Sequence, residues 1–306
     1  MSRKALHKTV FKGGLLIDGT GKSAVENSTV LIEDGKIVYA GPADEAPSTD
    51  LTSPDDCQVI DITGRTIMPG LVDTHLHFSG NLTENDSDWV MEDNIQKAVV
   101  AVQQAHECLE TGLTTVGEIS RFGIHIRNMV EAGVMQGPRI VATGLGFCAT
   151  AGHGDSHLLS IEQNKAAHPW AECVDSPWDL RKAVRRRLRE NPDAIKIWAT
   201  GGGIWRWEAG MDPHYTPEEI QAVAEECQIR GIPLWSHCFG SEMCIRDSFR
   251  SVIQPMRAST EPPASMVPRP MMKLLHPAVP NIIPKLPSTV WVKFISAEAE
   301  PISLSC

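Results

Sequence analysis

No stretch of this sequence is long and apolar enough to span a bilayer. Its start, "MSRKALHKTVFKGG", carries early positive charge but no uninterrupted apolar core and no small-residue cleavage site, so it reads as mature sequence rather than a signal peptide. Basic residues are the minority: 28 Lys and Arg face 38 Asp and Glu, a formal charge of -10. A nucleic acid or an anionic membrane as main partner would need a net basic face, so neither is expected. The 8 cysteines form no CxxC pair and follow no regular spacing. That suits free thiols in a reducing cytoplasm better than a disulfide framework. No internal repeat is present.

The 306 residues are enough for one large domain or two modest ones, and 42% apolar content with 24 Gly and 21 Pro is that of a globular chain rich in turns. Residues 1–68 read as a small antiparallel β-domain. "TVFKGGLLIDG" and "STVLIEDGKIVYAG" are short β-rich runs, and Asp34-Gly35 is a strong hairpin signal. After Pro69-Gly70 the pattern changes. Apolar runs at 71–78, 113–119, 138–144, 194–202 and 232–238 alternate with helical stretches around 93–111, 123–135, 177–190 and 216–230. The last helix opens on Thr216-Pro217-Glu218-Glu219, an N-cap, a proline at the first helical position and acids in the first turn. Such alternation predicts an α/β fold with a parallel sheet buried on both faces. A closed barrel needs eight strands and about 250 residues. The expectation is therefore a partial (β/α)8 barrel of about five strands over 69–241, with strand five left as an unpaired edge.

His75-Leu76-His77 lies at the end of the first apolar strand. Residues i and i+2 point to one face of a strand, so two imidazoles there can bind one metal from the same side. Lys196 interrupts the apolar "DAIKIWATGG". A lysine in that setting can snorkel out or pair with a carboxylate. With the histidines present, the better reading is a neutral amine that takes up carbon dioxide to become a carbamate ligand. His237 ends the fifth strand after "IPLWS" and is the natural third imidazole. The glycine run Gly201–Gly203 lacks the spacing of a nucleotide loop. The tryptophan-rich insert "GIWRWEAGMDPHY" is expected to pack rather than to line a pocket.

Together with "LLIDGTG", "IEDGKI", "ETGLTTVGE", "EAGVMQGPRIVATG" and "AGHGD", the elements "TIMPGLVDTHLH" and "AIKIWATGGG" resemble the amidohydrolase superfamily. The likeness is to its imidazolonepropionase-like branch with the Xaa-Pro dipeptidases, and it runs from about Phe11 to Gly240. It implies a hydrolase acting on C–N bonds, with a β-sandwich built from both chain ends. It implies two divalent metal ions, zinc by preference, held by His75, His77, carboxylated Lys196 and His237. The reaction implied is attack of a metal-activated hydroxide on the amide of a dipeptide or a cyclic amide. His153 matches a substrate-contacting position, with a turn-capping histidine as the equal alternative. The family's sixth-strand histidine and strand-eight aspartate base have no counterpart; His276 lacks the context, and Phe239 replaces a second histidine. No catalytic base is therefore assigned. The partner expected is a small-molecule or dipeptide substrate, with a homo-oligomer as an option for the full-length parent. Two alternatives stand beside this reading: a non-catalytic partial fold that at most binds metal, and a deaminase of the same superfamily.

From Phe249 periodicity disappears into a proline-dense tail unsuited to strands or helices. "EMCIRDS", Glu242 to Ser248, back-translates to a string containing the end sequence of a transposase used to fragment DNA for sequencing. Residues 242–306 are thus expected to be a chimeric, largely unstructured addition. Amplifying the locus from source DNA is expected to break the reading frame within 242–248; a continuous frame would overturn that reading.

Overall fold

A computed structural model describes residues 8–48, 57–83, 85, 88, 91–205, 212–238 and 295–296. The adapter-like segment, Phe239, His276 and residues 206–211 of the tryptophan-rich insert lie outside the described residues. The chain divides into two compact units, the first Met1–Val72, Gly112–Thr114 and Leu274–Cys306, the second Asp73–Thr111 and Thr115–Lys273.

The first unit holds one six-stranded sheet of β1 (Lys8–Leu16), β2 (Val25–Glu33), β3 (Lys36–Pro42), β4 (Cys57–Asp61), β5 (Arg65–Ile67) and the two-residue β13 (Ile295–Ser296). β2 and β3 form the hairpin that Asp34-Gly35 predicts. Both turn residues have positive φ, 47° and 76°, which matches the twist of the flanking strands. The sheet is mixed rather than antiparallel, since β1 pairs antiparallel with β2 but parallel with β4 and β5. Parallel neighbours need a crossover, and hairpin signals reveal only the antiparallel ones. Successive residues of β2 alternate between faces. Val30 and Ile32 join Phe11, Leu16, Ile62 and Ile67, while Leu31 joins Val10 and Cys57.

After β5 the chain alternates strands and helices: β6 (Leu71–Leu76), α1 (Asn94–Glu110), β7 (Leu113–Glu118), α2 (Gly123–Glu131), β8 (Arg139–Ala142), β9 (Gly146–Cys148), α3 (Ile161–Ala167), β10 (Ala171–Cys173), α4 (Pro177–Leu188), β11 (Ile195–Trp198), α5 (Pro217–Arg230) and β12 (Leu234–His237). The strands run in the orders β6-β7-β8 and β10-β9-β11-β12. β7 with β8, and β9 with β10 and β11, are parallel, as are β11 and β12. The five expected strands are thus present as β6, β7, β8, β11 and β12. β9, β10 and α3 were not anticipated, because three-residue strands and a seven-residue helix carry too little periodicity.

β11 is buried at all four positions, as a strand covered on both faces should be. β6 departs from that expectation. It ends its sheet, and Leu71 and Val72 are 46% and 61% exposed.

α5 begins with a reciprocal capping box, Thr216 with Glu219, and ends on Gly231 in the left-handed region at φ 62°. It packs on α4 through Ile220, Val223 and Cys227 against Leu180, Ala183 and Val184. A charged clasp fixes the pair. Glu226 is 2% exposed and accepts from Arg185 Nε at 3.0 Å and Nη2 at 2.6 Å.

The Arg185 hydrogen bonds hold the Glu226 carboxyl below its usual range. Its stabilisation is therefore present above the unfolded value and lost as pH falls through the lower folded value. Glu226→Gln is expected to cost about 2 kcal/mol near neutrality, with the deficit shrinking below about pH 4. Urea denaturation across that range checks it.

Candidate active site

β11 explains the position of Lys196. Ile195 and Ile197 point into an apolar cluster with Phe147, Leu180, Val184 and Ile220, so the residues between and after them take the opposite face. That face carries Lys196, 3% exposed, and Trp198, 1% exposed, with the lysine Nζ 5.2 Å from the indole centroid. On β12 the register sets Trp235 beside Lys196 and His237 beside Trp198. On β9, Gly146 leaves the room both need. A Cβ there would overlap the Trp198 ring and come within 2.8 Å of Lys196 Cγ.

β6 brings His75 to this face, with its Nε2 3.3 Å from Lys196 Nζ. His77 follows one residue beyond the strand. The two rings lie 5.2 Å apart, edge to face, and His75 lies 6.0 Å from the His237 ring. His77 Nδ1 donates to the Ile119 carbonyl at 2.7 Å. A carbonyl can only accept, so Nε2 of His77 is the atom with the lone pair.

His153 reaches the cluster from the loop after β9. Its ring stacks on His237 at 4.3 Å and 20° and lies over Gly202, where any side chain would strike it. Its backbone N–H donates to His214 Nδ1 at 3.2 Å, and its carbonyl accepts from Trp205 Nε1 at 2.7 Å. The five residues singled out from sequence, His75, His77, His153, Lys196 and His237, therefore share one cluster in the second unit.

Others in it gave no sequence signal. Trp170, half-buried, stands 5.4 Å from His77 and 6.1 Å from His153. It is backed by Trp198 at 5.3 Å and by His168 at 4.3 Å. His168 Nδ1 accepts the Ala171 N–H at 3.0 Å. Glu118, fully buried at the end of β7, accepts the Phe78 N–H at 2.9 Å.

Burial sets the electrostatics. It lowers His77 to about 4 and, with help from the charges of His153 and Lys196, His237 to about 3. His75 keeps more solvent contact but is also lowered to about 4, by desolvation first and then by Lys196. Burial lowers Lys196 to about 8. At neutral pH the imidazoles are thus unprotonated, as metal ligands must be.

Among the described residues, no three His, Cys, Asp or Glu side chains come close enough to hold a metal ion by themselves. A cation here would need Lys196 as well as histidines. The donor chemistry otherwise fits one, with neutral rings, a fixed His77 tautomer and a buried amine touching His75.

The sequence profile described as the Amidohydrolase family matches residues 66–252. The ochratoxinase of Aspergillus niger is 26% identical over 247 residues, covering 76% of this chain and 50% of the relative. An imidazolonepropionase of Rhizorhabdus wittichii is 46% identical over 247 residues, covering 72% of this chain and 56% of the relative. A crystal structure of a prolidase complexed with N-methylphosphonate-L-proline superposes with a TM-score of 0.68 at 27% identity, over 79% of this chain and 59% of that one. The chain thus spans about half the length of the curated relatives it matches. No helix among the described residues is long and apolar enough to cross a membrane.

Gly146→Ala is expected to destabilise the second unit by about 1–3 kcal/mol, because the methyl overpacks Trp198 and Lys196. Thermal unfolding against the wild-type chain measures it.

Proposed function

The chain belongs to the amidohydrolase family, and from that premise we propose a metal-dependent hydrolase site that cleaves an amide in a small molecule or dipeptide. The observation that carries this reading is the contact of 3.3 Å between Lys196 Nζ and His75 Nε2, inside a group of unprotonated imidazoles. The names of the ochratoxinase, imidazolonepropionase and prolidase relatives support an amide or cyclic amide as substrate. On this reading the second unit is the first part of a (β/α)8 barrel, and the mixed sheet of the first unit is part of a β-sandwich.

His75, His77 and His237 would offer lone pairs to divalent cations, with zinc suited to imidazole ligands. Lys196 is lowered to about 8, so a useful fraction of its amine is neutral near pH 7. That amine attacks carbon dioxide; a C–N bond forms, one proton leaves to solvent, and the product is an anionic carbamate. Bound cations supply Lewis acidity and a lowered water pKa. The chain's own groups do the rest. Trp170 walls the cluster with an apolar face. His153, stacked on His237, turns its ring toward the same space and would contact the substrate. No proton-accepting base is assigned to any described residue.

Lys196→Met keeps most of the apolar stem and removes the amine. Its zinc affinity is expected to fall at least about tenfold, and added bicarbonate should strengthen zinc binding only in the wild-type chain. Metal competition titration with and without bicarbonate is the measurement. A wild-type chain that takes up no zinc, or a variant that binds as well, would sink the reading. Hydrolysis of N-acyl amino acids and Xaa-Pro dipeptides by the longest product of the gene then tests the substrate class.

A further inference from the structure

We propose that Glu118 is a positioning residue for His77, fixing the main chain on which that imidazole sits and so setting the affinity of the cluster for a divalent cation. The inference rests on the metal reading above. The chain at Leu76–Phe78 is held at three points by the end of β7. The Ile119 N–H donates to the Leu76 carbonyl at 2.9 Å. The Ile119 carbonyl accepts from His77 Nδ1 at 2.7 Å. Glu118 Oε1 accepts the Phe78 N–H at 2.9 Å. The first of these points is backbone to backbone and the second ties the His77 ring to a backbone carbonyl; only the third depends on a side chain of β7.

Glu118 is itself over-determined. Its carbonyl accepts the Thr143 N–H at 3.0 Å, which ties it to the end of β8. Its Oε2 ends against Gly123, at the start of α2, in the space that any other residue's Cβ would fill. The carboxyl cannot swing that way, so Oε1 stays on Phe78. Its burial is costly: desolvation raises it to about 7, against the opposing hydrogen bonds of Ser120 and Phe78. An apolar residue would pack there without that cost. What the carboxyl adds is direction for the residue next to His77. Groups that orient a ligand in this way typically govern metal affinity by about 10–100-fold.

The test uses the full chain, with Co(II) as the probe. Binding is read by competition with a chromophoric chelator and by the visible d–d absorption of the bound ion. Glu118→Ala removes the acceptor, Glu118→Asp withdraws it by one methylene, and Glu118→Gln keeps it at the same reach without charge. Ala and Asp are expected to weaken Co(II) binding by about 10–100-fold and to change the absorption, while Gln stays within about threefold of wild type. Thermal unfolding of each variant identifies any that fail to fold; if Ala does, Asp decides. Ala or Asp variants that bind with wild-type affinity and spectrum, or a Gln variant as weak as Ala, would overturn the role of Glu118 and leave the metal reading standing. A wild-type chain without Co(II) uptake would overturn both.

Discussion

A buried lysine whose ammonium form is disfavoured by its surroundings is the constraint around which the second unit is organised. Lys196 sits in a strand whose other residues are fully apolar and whose neighbours leave it 3% exposed. A charged amine there is expensive unless something answers it. What faces it is an imidazole at 3.3 Å and an indole at 5.2 Å, and neither carries a full negative charge. The cost falls if the amine is neutral. The same strand alternation that sends Ile195 and Ile197 to the helical layer sends Lys196 to this face. The placement of the amine is therefore a by-product of ordinary sheet geometry with one residue exchanged.

Crowding on that face is possible because glycines stand where side chains would collide. Gly146 admits Trp198 and Lys196 from the adjacent strand, Gly202 admits the His153 ring, and Gly123 admits the carboxyl of Glu118. The sequence shows Gly201–Gly203 as a run, but the run itself is not the device. Gly202 meets His153, whereas Gly203 meets nothing within 4 Å and takes a positive φ of 73°. One glycine provides clearance and the next a turn, two different physical reasons within adjacent positions.

What could be read in advance follows from chemistry that shows in one dimension. The two histidines of His75-Leu76-His77 share a face because strand period is two, and Lys196 stands out because lysine is rare in apolar strands. Among the described residues, the five main strands and four of the helices α1–α5 were legible for the same reason, each being long enough to show its period. Trp170, His168 and Glu118 were not. Trp170 and His168 precede a three-residue strand, too short to display a pattern. Glu118 in "TTVGE" looks like the polar end of any strand, and its value depends on Phe78, forty residues earlier. The exposure of β6 was equally hidden, since its composition is that of a covered strand and only the sheet order reveals that it lies at an end.

The charge balance of the cluster adds a last step. His75, His77, His153, His237 and Lys196 are all groups that can become cations, and the nearby carboxylate of Asp73 accepts the His75 backbone N–H at 2.9 Å rather than a ring proton. Desolvation acts on His75, His77, His237 and Lys196 in the same direction, and neighbouring positive charges add to it for the three imidazoles. A divalent cation entering beside an ammonium at Lys196 would be repelled, so proton and metal compete for the same place. On the proposed reading, loss of the Lys196 proton, gain of a carbamate charge and entry of the metal are one coupled event. The coupling asks nothing of His75, His77 and His237, which desolvation already keeps unprotonated at neutral pH. It asks only that the lysine, and not a fifth histidine, occupy the centre of the face, because a lysine amine can change from cation to anion there and an imidazole cannot.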